Sequence, residues 1–141
     1  MTKRLTKKKL EDQIKDLTEK WKRALADYSN LEKRVQAERN SFIKFSSADL
    51  IAKLLAVLDD LERAEKYLKN KGLSIAVNQL RSVLKIEGVK EIEALNTEFD
   101  PSSMDCVEMA KGKKNIVNEV IQKGYLLNNK ILRPAKVKVG N

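Results

Sequence analysis

The residues that could take part in catalysis are few, and the closest group is a set of carboxylates. Asp59, Asp60 and Glu62 fall within one helical turn of each other. Two carboxylates held close together can act as general acid and general base. On an amphipathic helix, such a group more often belongs to the polar face. We therefore expect a solvated or partner-facing surface here.

The other residue types that support catalysis or metal binding are scarce. The sequence contains no histidine, the commonest general base and transition-metal ligand. Its one cysteine, Cys106, cannot form a disulfide within the chain, and we interpret it as a small buried strand residue. No glycine-rich phosphate loop or nucleophile elbow is present. The sequence therefore predicts a binding protein that is not an enzyme, with no metal and no cofactor.

Charge and hydropathy restrict the class of partner. The net charge is +9, and the basic excess lies in residues 1–23 and 111–141. Basic ends are compatible with nucleic acid, anionic lipid or acidic protein partners. No segment approaches the roughly 20 consecutive apolar residues of a membrane span, and no apolar signal core follows the lysine-rich start. We expect a soluble, cytoplasmic protein.

A heptad pattern occupies the first third of the chain and predicts one long α-helix over residues 1–48. Apolar positions alternate in steps of four and three, which is typical of a helix that packs along a partner helix. Such a helix would measure roughly 50 to 60 Å, more than the rest of the chain could cover. We therefore predict a homodimer. The stripe consists of Leu10, Ile14, Leu17, Trp21, Ala24, Tyr28, Leu31, Val35, Glu38, Phe42 and Phe45.

Residues 49–88 predict two shorter amphipathic helices. The segment 69–72 separates them, and we expect Gly72 to supply a left-handed cap, with Gly88 ending the second helix. Two such helices from each of two chains would form a four-helix bundle on dimerisation. The apolar positions that we expect at this interface are Leu54, Leu58, Leu61, Leu80 and Leu84.

Residues 89–141 predict a compact β-domain, which makes the whole chain an α+β protein. Helical periodicity ends, and short β-prone runs separated by turn residues take its place. Asn128 and Asn129 suit a two-residue hairpin turn, because asparagine tolerates positive φ. The expected strands cover residues 89–94, 104–110, 116–122, 125–127, 130–132 and 136–139.

The order and spacing of several segments resemble the signature of the GrpE family, the nucleotide exchange factors of DnaK-type chaperones. The similarity covers about residues 20–139. In the helical part it rests on Arg23 to Tyr28, Asn30-Leu31, Leu54-Leu55, Val57 to Ala64 and Glu87 to Val89. In the β-domain it rests on Phe99-Asp100-Pro101, Met104, Cys106-Val107, Gln122 to Tyr125, Leu132 to Ala135, Val137 and Val139.

The resemblance implies a homodimer that binds the ATPase domain of a DnaK-type chaperone, opens its nucleotide cleft and promotes ADP release. By the same resemblance, Arg63 beside the bundle and Phe99, Pro101, Ile121 and Val139 of the β-domain would contact the chaperone. Gly124 and Tyr125 would instead hold the domain together, and we expect Gly124 to adopt a special backbone angle. The alternatives are a basic coiled-coil protein that binds nucleic acid and a structural tether.

Overall fold

The computed structural model describes the backbone from residue 2 to residue 141 and the side chains from Thr6 onward. Lys3 and Arg4, which contribute to the basic N-terminal segment, lie outside the described side chains. The chain divides into two units, residues 1–43 and 44–141.

Helix α1 (Thr2–Phe45) is continuous, as the heptad pattern predicts. Its apolar stripe is exposed in the single chain apart from the partly buried Phe45, and Trp21 and Ile14 are each 63% exposed. A turn at Ser46 and Ser47 follows. The described helices include none that is both long and apolar enough to span a bilayer.

Two further helices, α2 (Ala48–Leu68) and α3 (Lys71–Ile86), follow in the second unit. The prediction that Gly72 forms the left-handed cap is wrong, because Lys69 adopts this conformation with φ of 49°. The side chain of Asn70 caps α3 by accepting hydrogen bonds from the backbone N–H groups of Gly72 and Leu73. Because Asn70 is the N-cap of α3, the left-handed residue that ends α2 must come before it, at Lys69.

Six strands complete the second unit and form two three-stranded sheets. The first sheet has the order β1-β4-β5 and is antiparallel. The second has the order β2-β6-β3, in which β2 runs parallel and β3 antiparallel to β6. The strands are β1 (Val89–Glu91), β2 (Met104–Lys114), β3 (Val117–Gln122), β4 (Tyr125–Leu127), β5 (Lys130–Arg133) and β6 (Ala135–Gly140). The α+β prediction is confirmed.

Each sheet has its own hydrophobic core. The first core joins α2 and α3 to the first sheet, and Leu58 and Leu84 are buried within it. The second core lies against the second sheet and contains Met104, Val117, Ala135, Val137 and Val139. Leu58 and Leu84 therefore pack inside one protomer.

Residue type predicted the conformations of the turns more reliably than it predicted which side chains are buried. Asn128, Asn129 and Gly88 all have positive φ, as their residue types predict. Cys106 lies on a strand but is exposed, so its predicted burial is wrong. It lies on the edge strand β2, whose register with β6 shifts between Cys106 and Glu108, and this shift interrupts the alternation of buried and exposed positions.

Candidate functional site

The carboxylates of α2 pair with basic side chains of the same protomer. Arg133, at the end of β5, forms a bidentate ion pair with Asp59: Nη1 lies 2.7 Å from Oδ2, and Nη2 lies 2.9 Å from Oδ1. Both side chains are mostly buried, with exposed fractions of 17% and 19%. A bidentate arginine–carboxylate pair restricts orientation as well as distance. This pair therefore fixes β5 against α2.

Glu62, one helical turn further along α2, connects three elements. It accepts hydrogen bonds from Arg81 of α3 at 2.9 and 3.0 Å and from Lys123 at 3.3 Å. Burial lowers the pKa of Arg81, but its hydrogen bond and charge interaction with Glu62, together with the interactions with Glu65, outweigh burial and raise it. The arginine therefore stays charged and links α3 to α2.

These pairings correct the expectation of a solvated or partner-facing carboxylate surface. Asp59 and Glu62 are engaged within the protomer. Asp60 alone of the three remains exposed, and it pairs with Arg63 on the same face of α2.

The connections between the two sheets pass close to Arg133. Its guanidinium donates two hydrogen bonds, of 2.7 and 2.9 Å, to the carbonyl oxygen of Lys123. Gly124 in turn accepts a hydrogen bond from the N–H of Ile92 at 2.8 Å. A Cβ atom at Gly124 would lie 2.3 Å from the backbone nitrogen of Ala135. We call this crossing, formed by Ile92, Lys123, Gly124 and residues 133–135, the neck.

Gly124 therefore has the structural role that we predicted, but the reason is not the special backbone angle that we expected. Among the described residues, Gly88 is the only glycine with a positive φ. Gly124 is required because two backbone segments approach each other more closely than a side chain would permit.

A cleft with a volume of about 540 Å³ lies between α2 and the second sheet. Arg63 and Lys66 line it from α2, while Ile121 and Lys136 line it from β3 and β6. Lys66 and Lys136 form no ion pair with any described residue, whereas the acids Asp59 and Glu62 are neutralised by Arg133, Arg81 and Lys123. The cleft is therefore basic, and Ile121 supplies an apolar contact that is 49% exposed.

The structure thus brings together Arg63 and Ile121 from the set of predicted contact residues. Phe99 and Pro101 do not line this cleft and lie in the connection between β1 and β2. Phe99 is partly buried against the second core, whereas Pro101 is exposed. Val139 is only 3% exposed because it packs inside that core, so its side chain is not available as a contact.

A compact turn precedes β2 and carries Pro101. Asp100 accepts hydrogen bonds from the hydroxyl and N–H of Ser102 at 2.7 and 2.9 Å, and from the hydroxyl of Ser103 at 3.2 Å. The bonds from Ser102 are the main reason why the pKa of Asp100 lies below its ordinary value. The ionised carboxylate therefore stabilises this turn.

Sequence reasoning missed the two lysines of the cleft and the arginine of the neck. Lys66 could have been found, because it follows Arg63 by three residues on one helix face. Lys136 could also have been found, since it alternates with the buried Ala135 and Val137. No helix or strand periodicity pointed to the role of Arg133, because its partner Asp59 is 74 residues away.

Comparison with known proteins identifies the family. The GrpE family model matches residues 2–141. The chain belongs to the GrpE family. A protein named "Protein GrpE" from Clostridioides difficile (strain 630) is 37% identical over 150 residues, which cover 96% of this chain and 70% of that protein. One of the same name from Methanosphaera stadtmanae is 37% identical over 90% of this chain and 78% of its own. Another, from Campylobacter curvus, is 32% identical over 94% of this chain and 80% of its own.

The family assignment confirms the resemblance seen in the sequence. GrpE proteins are co-chaperones that act as nucleotide exchange factors for DnaK, and this role is one of binding and not of enzymatic catalysis.

Proposed function

We propose that this GrpE-family protein acts as a homodimer, binds the ATPase domain of a DnaK-type chaperone in the cytoplasm, opens its nucleotide cleft and promotes ADP release. The observation that carries the proposal is the shared cleft. The family resemblance implies that Arg63 and Ile121, on two separate elements, contact the chaperone, and both line one basic cleft. Residues 1–48, 49–88 and 89–141 would serve as the coiled coil, the bundle helices and the chaperone-binding domain.

The mechanism requires a shift in population and no catalytic group. If the protein binds the open ATPase domain more tightly than the closed one, it favours the open state. Linkage then requires that bound ADP and the bound exchange factor weaken each other by the same factor. ADP leaves, and ATP can enter the open cleft.

The charge of the cleft indicates what kind of chaperone surface would fit. Lys66 and Lys136 present unpaired positive charge, Arg63 carries a charge that it shares with Asp60, and Ile121 adds an apolar contact. An acidic segment with an apolar residue would complement both features. Pro101 provides a second exposed contact on the same β-domain.

Dimerisation would cover the apolar surface that a single protomer leaves open. On α1 the exposed stripe includes Ile14, Leu17, Trp21, Tyr28, Leu31 and Val35. On the bundle helices, the partly buried Leu54, Leu61 and Leu80 retain surface for a partner. Leu58 and Leu84 would support this interface from the core of each protomer.

Stopped-flow release of a fluorescent ADP analogue from a DnaK-type chaperone tests the proposal. We expect strong acceleration by the parent protein and a large loss with Arg63→Ala, Ile121→Ala and their combination. Lys53→Ala and Ile131→Ala serve as matched controls, because they remove an exposed basic residue from α2 and an exposed isoleucine from β5 outside the cleft. A Pro101→Ala variant measures the contribution of the second contact.

The outcomes separate the proposal from its alternatives. No acceleration by a folded parent dimer would overturn the exchange function. Salt-sensitive binding to generic duplex DNA without any effect on ADP release would favour the nucleic-acid alternative. Equal losses in the cleft variants and their controls would show that the contact surface lies elsewhere.

A further inference from the structure

At the neck, Asp59 and Glu62 of α2 pair with Arg133, the last residue of β5 in the first sheet, and with Lys123, which follows β3 of the second sheet. Three segments pass through the neck: the start of the β1–β2 connection at Ile92, the β3–β4 connection at Lys123 and Gly124, and the β5–β6 connection at residues 133–135. The two sheets have separate cores. The orientation of the second sheet therefore depends strongly on contacts at the neck.

Arg133 occupies the position from which it can control this orientation. Its guanidinium binds the carboxylate of Asp59 with two bonds and the carbonyl of Lys123 with two more. Gln122, the last residue of β3, also approaches Asp59, with Nε2 at 3.4 Å from Oδ2. The carboxylate of Asp59 on α2 thus accepts hydrogen bonds from β3 and from β5, the two strands that lead into the neck.

The same pair lies at the edge of the basic cleft. Asp59 lines that cleft together with Arg63, on the same helix, and with Ile121, on the second sheet. Any rotation of the second sheet about the neck would change the separation of Arg63 and Ile121. A ligand that must contact both would then bind less well, because it would have to restore the orientation itself.

From this geometry we infer that the Asp59–Arg133 pair is a positioning lock that holds the second sheet at a fixed angle to α2 and so keeps the two sides of the basic cleft in register. Neither residue needs to touch the chaperone. The effect on nucleotide exchange rests on the function proposed above, whereas the lock itself is a property of the free protein.

The orientation can be measured directly in the free protein. Cys106 is the only cysteine, is exposed and lies on the second sheet, so it accepts one spin label. An Ala56→Cys substitution places the second label on an exposed position of α2. Dilution of the labelled chain with unlabelled chain restricts pulsed electron paramagnetic resonance to distances within one protomer.

We expect a narrow distance distribution in the doubly labelled parent and a shifted or broader one after Asp59→Asn or Arg133→Lys. The asparagine removes the charge, and the lysine removes the bidentate geometry while retaining the charge. Asp59→Glu keeps the carboxylate and should largely preserve the narrow distribution. Asp49→Asn is the matched control, because it removes a carboxylate of α2 that pairs only with the exposed Lys53.

The same variants without the added label are then tested for ADP release. We expect Asp59→Asn to lower the acceleration at least about fivefold, with Asp49→Asn close to the parent. Circular dichroism and thermal unfolding must show that each variant is folded. Should Asp59→Asn fail this requirement, Arg133→Lys provides the comparison.

Each outcome decides a different claim. An unchanged distance distribution in folded Asp59→Asn and Arg133→Lys variants would overturn the lock. A broadened distribution with undiminished ADP release would overturn its role in exchange. A parent protein that does not accelerate release would overturn the proposed function, while the distance measurement would still confirm or overturn the lock.

Discussion

The side-chain amide of Asn128 donates a hydrogen bond of 3.1 Å to the carbonyl oxygen of Lys44. The β4–β5 turn thereby satisfies a carbonyl in the last turn of α1, which would otherwise lack an intrahelical partner. Lys130, the first residue of β5 after this turn, lies over the ring of Phe45, with Nζ at 5.2 Å from its centre. The end of α1 is therefore anchored by the β4–β5 turn.

Replacement of Asn128 by glycine should lower the free energy of unfolding by about 1 kcal/mol, because the turn keeps its permissive residue but loses this hydrogen bond. Chemical denaturation followed by circular dichroism measures the change. Asn129→Gly is the control, since Asn129 also has positive φ and its side chain makes no such bond. Equal stability of the two variants would show that the bond to Lys44 contributes nothing.

Dilution should move the fluorescence of Trp21 to longer wavelength. Trp21 is the only tryptophan, and in a single chain its side chain is 63% exposed. A coiled-coil partner would bury it, so dissociation of the dimer would return it to water. Leu17→Glu, which puts a charge on the same stripe, should show the long-wavelength emission at every concentration. An emission maximum independent of concentration, together with a monomeric mass by sedimentation, would contradict the dimer.

Rising salt should slow association with the chaperone. Lys66 and Lys136 are free of ion pairs among the described residues and line the basic cleft, so they would attract an acidic surface from a distance. We expect a smaller dependence of the association rate on salt in the Lys66→Gln, Lys136→Gln double variant. Lys53→Gln removes a positive charge outside the cleft, so the association rate of this variant should keep the steeper dependence on salt. Identical association rates at low and high salt would contradict electrostatic steering.

Acid should remove the stabilising contribution of Asp100. Hydrogen bonds, chiefly from Ser102, hold its pKa in the folded protein below the ordinary value of 3.8. The contribution is therefore complete well above pH 3.8 and is lost as the pH falls through the lowered folded pKa.

The comparison of parent and Asp100→Asn isolates this contribution. We expect the parent to be more stable at neutral pH and the difference in free energy of unfolding to shrink as the pH falls toward about 3. Asp105→Asn, at an exposed position on β2, is the control for the general effect of losing a carboxylate. A difference between parent and Asp100→Asn that stays constant down to that pH would contradict the assignment.

Periodicity and turn chemistry predicted most of the secondary structure. The heptad stripe predicted α1, because side-chain direction repeats about every 3.6 residues in a helix, and the short β-prone run at residues 136–139 predicted β6. Asn128 and Asn129 predicted their own turn through their tolerance of positive φ. The family resemblance added Arg63 and Ile121 as expected contacts, and the fold places both in one cleft.

What the sequence determined by itself was therefore local: the class of fold, the helices and strands, the absence of histidine chemistry and the likeness to the GrpE family. The tertiary structure alone decided that Asp59 meets Arg133, that Gly124 lies against Ala135 and that Val139 is buried. These facts depend on how two sheets cross at the neck. Residues separated by 74 positions share no periodic relationship, so only the path of the chain in three dimensions brings them together.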